Sequence, residues 1–316
     1  MTHFFSDKYH YIDLYQGDCI DVMDKLISDG VTVDLTVTSP PYDMLRTYEN
    51  QSTWNFEVFK QIADRLYKLT RDGGIVVWVV GDATIKGCET GSSFKQALYF
   101  MDLGFKLHDT MIYEKCTSTF PARRDSKRYT QIFEYMFVFC KGEIRKDIEL
   151  IADKENKWAG YVLWGKHNHY SKEGTKVETS QIKPIPQYSL RNNIWRYVTG
   201  YVTCDDKTDH PAVFPEKLAE DNILSWSVEG DMVFDPFLGS GTTGKMAILN
   251  NRKFIGAEIC DKYYDIAKER ILKYDAPKKL TLFKEGVPTI FDSPVEIKNK
   301  KREEKDENNQ NVLPLW

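Results

Sequence analysis

The chain has 316 residues, a net charge of −4 and 41% hydrophobic residues. That is enough apolar material for one large domain with an insert, and no run approaches the length of a membrane span. The start, Met1-Thr-His-Phe-Phe, lacks the cationic and apolar regions of a secretory signal. Six cysteines (Cys19, Cys88, Cys116, Cys140, Cys204, Cys260) are scattered without a CxxC pair, so free thiols in a reducing cytoplasm are expected.

Strand and helix patterns alternate along the chain. Tyr11–Leu14 reads as a short strand, 20–27 as a helix and Val33–Val37 as a buried strand. Phe56–Leu69 is an amphipathic helix closed by Arg71-Asp-Gly-Gly, and Ile75–Val80 is an uninterrupted apolar strand. A helix over 94–101 and strands over 105–113 and 133–140 follow, the two strands suited to an antiparallel edge. After Lys141 the pattern dissolves into an irregular stretch rich in Trp, Tyr, Lys, Asn and Pro, to about residue 205. Regular structure resumes with helix 216–226, strand 232–234, helix 243–250, strand 254–257 and helix 262–272. From Glu296 to about Asn311 the chain has too little apolar surface to order itself.

Charge is unevenly spread. Residues 115–200 hold 16 Lys/Arg against 9 Asp/Glu, a net +7 that leaves −11 on the remainder. A basic segment on an acidic body suits a localised nucleic-acid footprint, and equally the solvated surface of a lysine-rich insert.

Two motifs carry chemistry. Thr38-Ser39-Pro40-Pro41-Tyr42 directly follows the strand at 33–37. Consecutive prolines cannot continue a central strand, so the strand stops at the edge where open α/β sheets bind ligands. It offers a hydroxyl, carbonyls without neighbouring donors and a phenol ring, which suits a planar ligand bearing an amino group. The second motif, Asp235-Pro236-Phe237-Leu-Gly239-Ser240-Gly241-Thr242-Thr243-Gly244, opens a helix after a strand, with Glu258 at the end of the next one. Its glycine spacing fits a dinucleotide fingerprint, yet Asp235 would repel a pyrophosphate docked there. A cationic cofactor without phosphate, such as S-adenosylmethionine (AdoMet), fits better.

Together these motifs resemble motif IV (Thr38–Tyr42) and motif I (Asp235–Thr243) of the DNA amino-methyltransferases, in the order of the β group. The resemblance covers most of residues 11–273. It implies a Rossmann-like α/β methyltransferase fold, with a mostly parallel sheet, an antiparallel strand and a small irregular target-recognition insert. It also implies AdoMet as cofactor, double-stranded DNA as substrate, and the homodimer and cognate restriction endonuclease common among relatives. The implied segments are 1–144 (catalytic half), 145–205 (target recognition), 206–280 (AdoMet-binding half) and 281–316 (an extension, largely disordered after 296). Phe254-Ile-Gly-Ala-Glu258 resembles motif II, whose acid holds the ribose. Gly17-Asp18 resembles the position that contacts the cofactor adenine, although Asp18 is equally suited to cap the helix that follows. His210–Pro215 resembles motif X with Ala-Val-Phe-Pro in place of the commoner Thr-Gln-Lys-Pro.

By this resemblance Ser39, Pro40, Pro41 and Tyr42 are catalytic. Ser39 Oγ and the Pro40 carbonyl would accept the hydrogens of an exocyclic amine and localise its lone pair for direct attack on the methyl group. Tyr42 would stack on the base, which must be flipped from the duplex. Ser in the first position favours N4 of cytosine, with N6 of adenine the alternative. A C5-cytosine enzyme needs a Pro-Cys that the chain lacks. Arg123, Arg124, Lys127 and Arg128 are suited to phosphates, and Trp164, Lys166, Asn168 and Tyr170 to bases. A metal site at His167-x-His169 lacks a recognisable ligand set. An NAD-dependent oxidoreductase would leave 38–42 unexplained, and a catalytically silent DNA-binding relative would have no need of an intact Ser39.

Overall fold

The computed structural model describes residues 3–7, 11–41, 54–116, 127–162, 166–171, 174–180, 184–198 and 214–274, with backbone alone for 3–7, 166–170 and 176–180. Tyr42, Arg123, Arg124, Trp164, Cys204, His210 and the extension 281–316 lie outside the described residues. No described helix is long and apolar enough to cross a membrane.

The amino-terminal half runs β1 (His3–Asp7), β2 (Ile12–Gln16), α1 (Cys19–Ser28), β3 (Val33–Thr38), α2 (Phe56–Leu69) and β4 (Thr70–Val80). A small hairpin, β5 (Thr84–Ile85) and β6 (Cys88–Glu89), precedes α3 (Ser92–Asp102), β7 (Phe105–Lys115) and β8 (Phe133–Lys141). The irregular stretch holds β9 (Lys154–Glu155), β10 (Lys166–Tyr170), β11 (Lys176–Ser180), β12 (Tyr188–Ser189) and β13 (Ile194–Tyr197). The chain returns through α4 (Glu216–Trp226), β14 (Met232–Asp235), α5 (Thr242–Leu249), β15 (Lys253–Glu258) and α6 (Asp261–Tyr274).

Nine strands form one sheet in the order β1-β2-β15-β14-β3-β4-β8-β7-β13. The run from β2 to β4 is parallel. β8 lies antiparallel to both β4 and β7. The expected pair at 105–113 and 133–140 is therefore antiparallel, but β7 is not the edge. Residues 194–197, in the stretch expected to be irregular, add β13 outside β7 in parallel. The turn expected to close α2 is absorbed too: α2 passes directly into β4, with a register shift opposite Val33 and Leu35.

Strand alternation sets the layers. Ile75, Val77 and Val79 face α4, α5 and α6, whereas Val76, Trp78 and Val80 face α1, α2 and α3. In α2 the buried residues Phe59, Ile62, Ala63, Leu66 and Leu69 recur on one helical face, and the Asn55 side chain caps its start through Glu57 N and Val58 N at 2.9 and 3.0 Å. Covering a parallel sheet on both faces is what permits its strands to be apolar throughout.

Gly244 sits where α5 crosses the sheet. A Cβ there would lie 2.5 Å from Ile271 Cδ1 and 2.6 Å from the Phe254 ring. Gly244→Ala is expected to destabilise the fold by about 1–3 kcal/mol through overpacking. A lowered midpoint in urea at unchanged m-value checks this; an unchanged midpoint would refute the close packing.

Candidate active site

The site lies where the helical connections diverge. β3 leads through α2 to β4 on one side, and β14 leads through α5 to β15 on the other face. Adjacent parallel strands whose connections part in this way leave a crevice at their carboxyl ends. Here those ends are Thr38 and Asp235.

The two ends are bonded to each other. Thr38 Oγ1 donates to Asp235 Oδ1 at 2.7 Å, and Phe237 N donates to the same oxygen at 3.0 Å. Thr243 adds a side-chain hydrogen bond to Asp235, and its hydroxyl reaches the Val37 carbonyl at 3.3 Å. Asp235 thus ties the strand end carrying Ser39 to the loop preceding α5. Burial raises its carboxyl to about 6, against the lowering effect of these donors. Ser39 is partly exposed at the crevice, Pro40 is buried and Pro41 is half-buried.

The glycine loop follows. Gly239 and Gly241 have φ of +52° and +80°, a left-handed backbone that favours glycine. A Cβ on Gly241 would also press on the backbone of Ala267 at 3.0 Å. Gly239 N donates to Glu258 Oε2 at 2.8 Å, and Cys260 N to Oε1 at 3.0 Å. Glu258 ends β15 and is raised to about 7, first by burial and further by the charge of Asp235. Next along the sheet, Gly17 N donates to the Glu258 carbonyl at 2.9 Å, and Asp18 caps α1 through Ile20 N at 2.8 Å. The capping reading of Asp18 is therefore realised, at a position beside Glu258. The ends of β2, β15, β14 and β3 bring Asp18, Glu258, Asp235 and Ser39 to one crevice.

Other expected residues face inward. Arg270 donates to the Ser240 carbonyl and hydroxyl at 3.1 and 3.3 Å and to Thr242 Oγ1 at 2.9 Å. Its second nitrogen joins Lys245 on Glu216 Oε1. This buried knot locks α4, α5 and α6 beneath the loop. Pro236 is buried, and Phe237 packs edge-on against Trp54 at 5.6 Å.

Asp82 was not singled out from the sequence. It follows β4 and accepts from Ser92 Oγ at 3.1 Å, Ser93 N at 2.9 Å and Ser93 Oγ at 2.6 Å, fixing the start of α3. The signal was available, since Gly81-Asp82 ends an uninterrupted apolar strand just as Asp235 does. Beside it a cleft of about 330 Å³ opens between the β5–β6 hairpin and residues 127–135, lined by Asp82, Glu89, Lys127, Arg128, Tyr129 and Tyr135 among others. Arg128 donates to Glu89 Oε1 and to the Gly87 carbonyl, both at 3.0 Å. Lys127 is exposed. Lys166, Asn168 and Tyr170 lie on β10, paired with β11.

A model of the DNA methylase family, the N6/N4 methyltransferases, matches residues 33–269. The chain belongs to that family. The orphan methyltransferase M.BamHII of Bacillus amyloliquefaciens is 57% identical over 246 residues, spanning 77% of this chain and 90% of that protein. The solved complex of M1.HpyAVI with SAM superposes with a TM-score of 0.55 at 25% identity, over 82% of this chain and 98% of that one. The PvuII DNA methyltransferase, named cytosine-N4-specific, shares the fold with a TM-score of 0.58 at 20% identity, over 82% and 86% of the two chains.

The methylase is thus a DNA amino-methyltransferase of restriction–modification type, and AdoMet is its cofactor. Its crevice fits that molecule. Two buried carboxylates border the glycine loop, a setting hostile to pyrophosphate and suited to a cationic, phosphate-free ligand. The oxidoreductase reading has no support at this site.

Proposed function

We propose that this methylase transfers a methyl group to the exocyclic N4 of cytosine in a base flipped out of double-stranded DNA. The observation that carries the reading is the bonded pair Thr38–Asp235, which sets Ser39 and Pro40 beside the glycine loop. AdoMet supplies an electrophilic methyl group. The protein does the rest by positioning. Ser39 Oγ and the Pro40 carbonyl accept the two amine hydrogens and draw the nitrogen toward tetrahedral geometry, which frees its lone pair. Cytosine is preferred because, by the family resemblance, Ser in the first position of this motif accompanies that base.

The remaining roles belong to the same proposal. Asp18, Asp235, Pro236, Phe237 and residues 239–243 shape the cofactor side, and Glu258 takes the ribose hydroxyls. Tyr42 stacks on the flipped base, and residues 145–205 recognise the target sequence. Arg123, Arg124 and Lys127 face phosphates, and Trp164, Lys166, Asn168 and Tyr170 face bases. Arg128 joins the phosphate group by giving up its bond to Glu89. A cognate endonuclease is not a necessary partner, because M.BamHII is named an orphan methyltransferase.

The test is transfer of labelled methyl groups from AdoMet to diverse unmethylated DNAs, followed by digestion to nucleosides and mass spectrometry. Label in N4-methylcytosine is the expected result. Label in N6-methyladenine would overturn the choice of base. No label in any DNA, with AdoMet still bound, would overturn the catalytic reading.

Glu258 gives a second check. Its carboxyl is raised in the folded protein, so the folded state holds a proton that the unfolded state releases first. Its contribution to stability is full below the unfolded pKa and is lost as pH rises toward about 7. In the cofactor-free protein, the stability of wild type relative to Glu258→Gln is expected to fall as pH rises through that window. AdoMet affinity of the wild type should rise over the same window, because the ionised carboxylate is the better acceptor. A pH-independent affinity would refute the ribose contact.

A further inference from the structure

β13 has little of its own to hold it in place, being four residues long with only Trp195 buried. A second hold lies on α4. Asp221 is 1% exposed there, and its Oδ2 accepts from Arg191 Nη1 at 2.7 Å and from the Tyr197 hydroxyl at 2.6 Å. Its Oδ1 is met by Lys217, one turn back, at 2.9 Å. Arg191 stands at the foot of the β9–β12 ribbon. Its Nε donates to Asp153 at 3.0 Å, its backbone N donates to the Ile151 carbonyl at 2.9 Å, and its guanidinium lies 5.1 Å from the centre of the Trp195 ring. β10, which carries Lys166, Asn168 and Tyr170, lies in the chain between the two strands of that ribbon. The start of the segment is fixed in a similar way, by Arg145 donating to Asp231 at 2.7 Å beside the entry to β14.

The same helix supports the cofactor loop. Five positions before Asp221, Glu216 holds Lys245 and Arg270, and Arg270 in turn holds Ser240 and Thr242. The two acids are about 7–8 Å apart along the axis of one helix. A buried ion pair adds little stability over apolar residues of the same volume, and its best-attested use is to fix one arrangement among several. The arrangement that matters here is the distance between a base held by the insert and a methyl group held at the glycine loop. A displacement of about 1 Å can cost roughly 100-fold in rate. We propose that Asp221 is a positioning residue for methyl transfer: through Arg191 and Tyr197 it sets the target-recognition segment in register with the helix that underpins the glycine loop. This role rests on the reading of 145–205 as the target-recognition segment, and adds to it the residue that aligns that segment with the cofactor.

The test compares wild type with Asp221→Asn, which keeps the shape, and with Tyr197→Phe, which keeps the ring and removes one bond. The substrate is the DNA that accepts label in the transfer assay. With AdoMet and DNA both saturating, Asp221→Asn is expected to lower the single-turnover rate by about 10–100-fold and Tyr197→Phe by roughly 3–10-fold. AdoMet affinity by calorimetry should stay within about 2-fold in both, because the Glu216 end of α4 is untouched. An unchanged rate at saturation, with only the thermal midpoint lowered, would overturn the proposal. So would a loss of AdoMet affinity equal to the loss of rate. Tyr197→Phe decides the matter if Asp221→Asn fails to fold. Hydrogen exchange on DNA binding separates the proposal from the reading beneath it, with protection expected at residues 154–155, 166–170 and 188–189. Absence of that protection would overturn the recognition reading and the proposal with it. Protection together with an unchanged rate would overturn the proposal alone.

Discussion

Ser39→Ala is expected to lower the rate of methyl transfer by roughly 10²–10³-fold while leaving AdoMet affinity within about 2-fold, the size and pattern seen when one transition-state hydrogen bond is removed. The amine lone pair is delocalised into the ring in the ground state and must be localised in the transition state. An acceptor for the amine hydrogens therefore gains strength as the reaction proceeds, and its removal falls on kcat. The bond from Thr38 to Asp235, which ties the strand end to the glycine loop, is untouched by this substitution. Single-turnover rates and calorimetry on the same preparation separate the two effects. Equal losses in rate and affinity would show that Ser39 supports the cofactor loop rather than the amine.

Asp235→Ala should do the opposite and eliminate measurable AdoMet binding. Its Oδ1 receives Thr38 Oγ1 and Phe237 N together, so alanine removes the junction between the two half-sites. Thr38 Oγ1 would be left buried without this acceptor, at a cost of about 1–3 kcal/mol. The loop that carries Gly239 would lose its anchor on β3. Asp235→Asn keeps an oxygen acceptor in the same shape and is expected to retain the fold and part of the affinity. Calorimetry with both variants decides: affinity retained in Asp235→Ala would refute the role of this carboxylate, even if turnover fell.

These two residues also show what the sequence could reveal. Ser39 was legible because two prolines after an apolar strand leave few conformations and force the strand to end. The glycine loop was legible because Gly239, Gly241 and Gly244 fall at a spacing with a mechanical meaning, which the contacts of Gly241 and Gly244 bear out. The bond between Thr38 and Asp235 was not legible. It joins residues 197 positions apart, and only the sheet order makes them neighbours. The same holds for the Glu216–Arg270–Lys245 knot, where each residue taken alone reads as a surface charge. β13 escaped for a different reason. Four residues with only Trp195 buried leave no alternation to detect, and the strand exists because β7 offers it an edge. Asp82 escaped for want of a motif: Asp18, Asp235 and Glu258 each fall in a stretch that resembles a family motif, whereas the residues around Asp82 read only as an apolar core strand.

The central claim is that the Ser39–Pro40 strand end and the Asp235–Thr243 loop form one site at the divergence of β3 and β14. Determining the structure of the protein with AdoMet bound tests it most directly. The account predicts the ribose at Glu258 and the sulfonium methyl directed to the side of the crevice occupied by Ser39 and Pro40. A bound AdoMet whose methyl group faces away from Ser39, or whose ribose leaves Glu258 untouched, would contradict it.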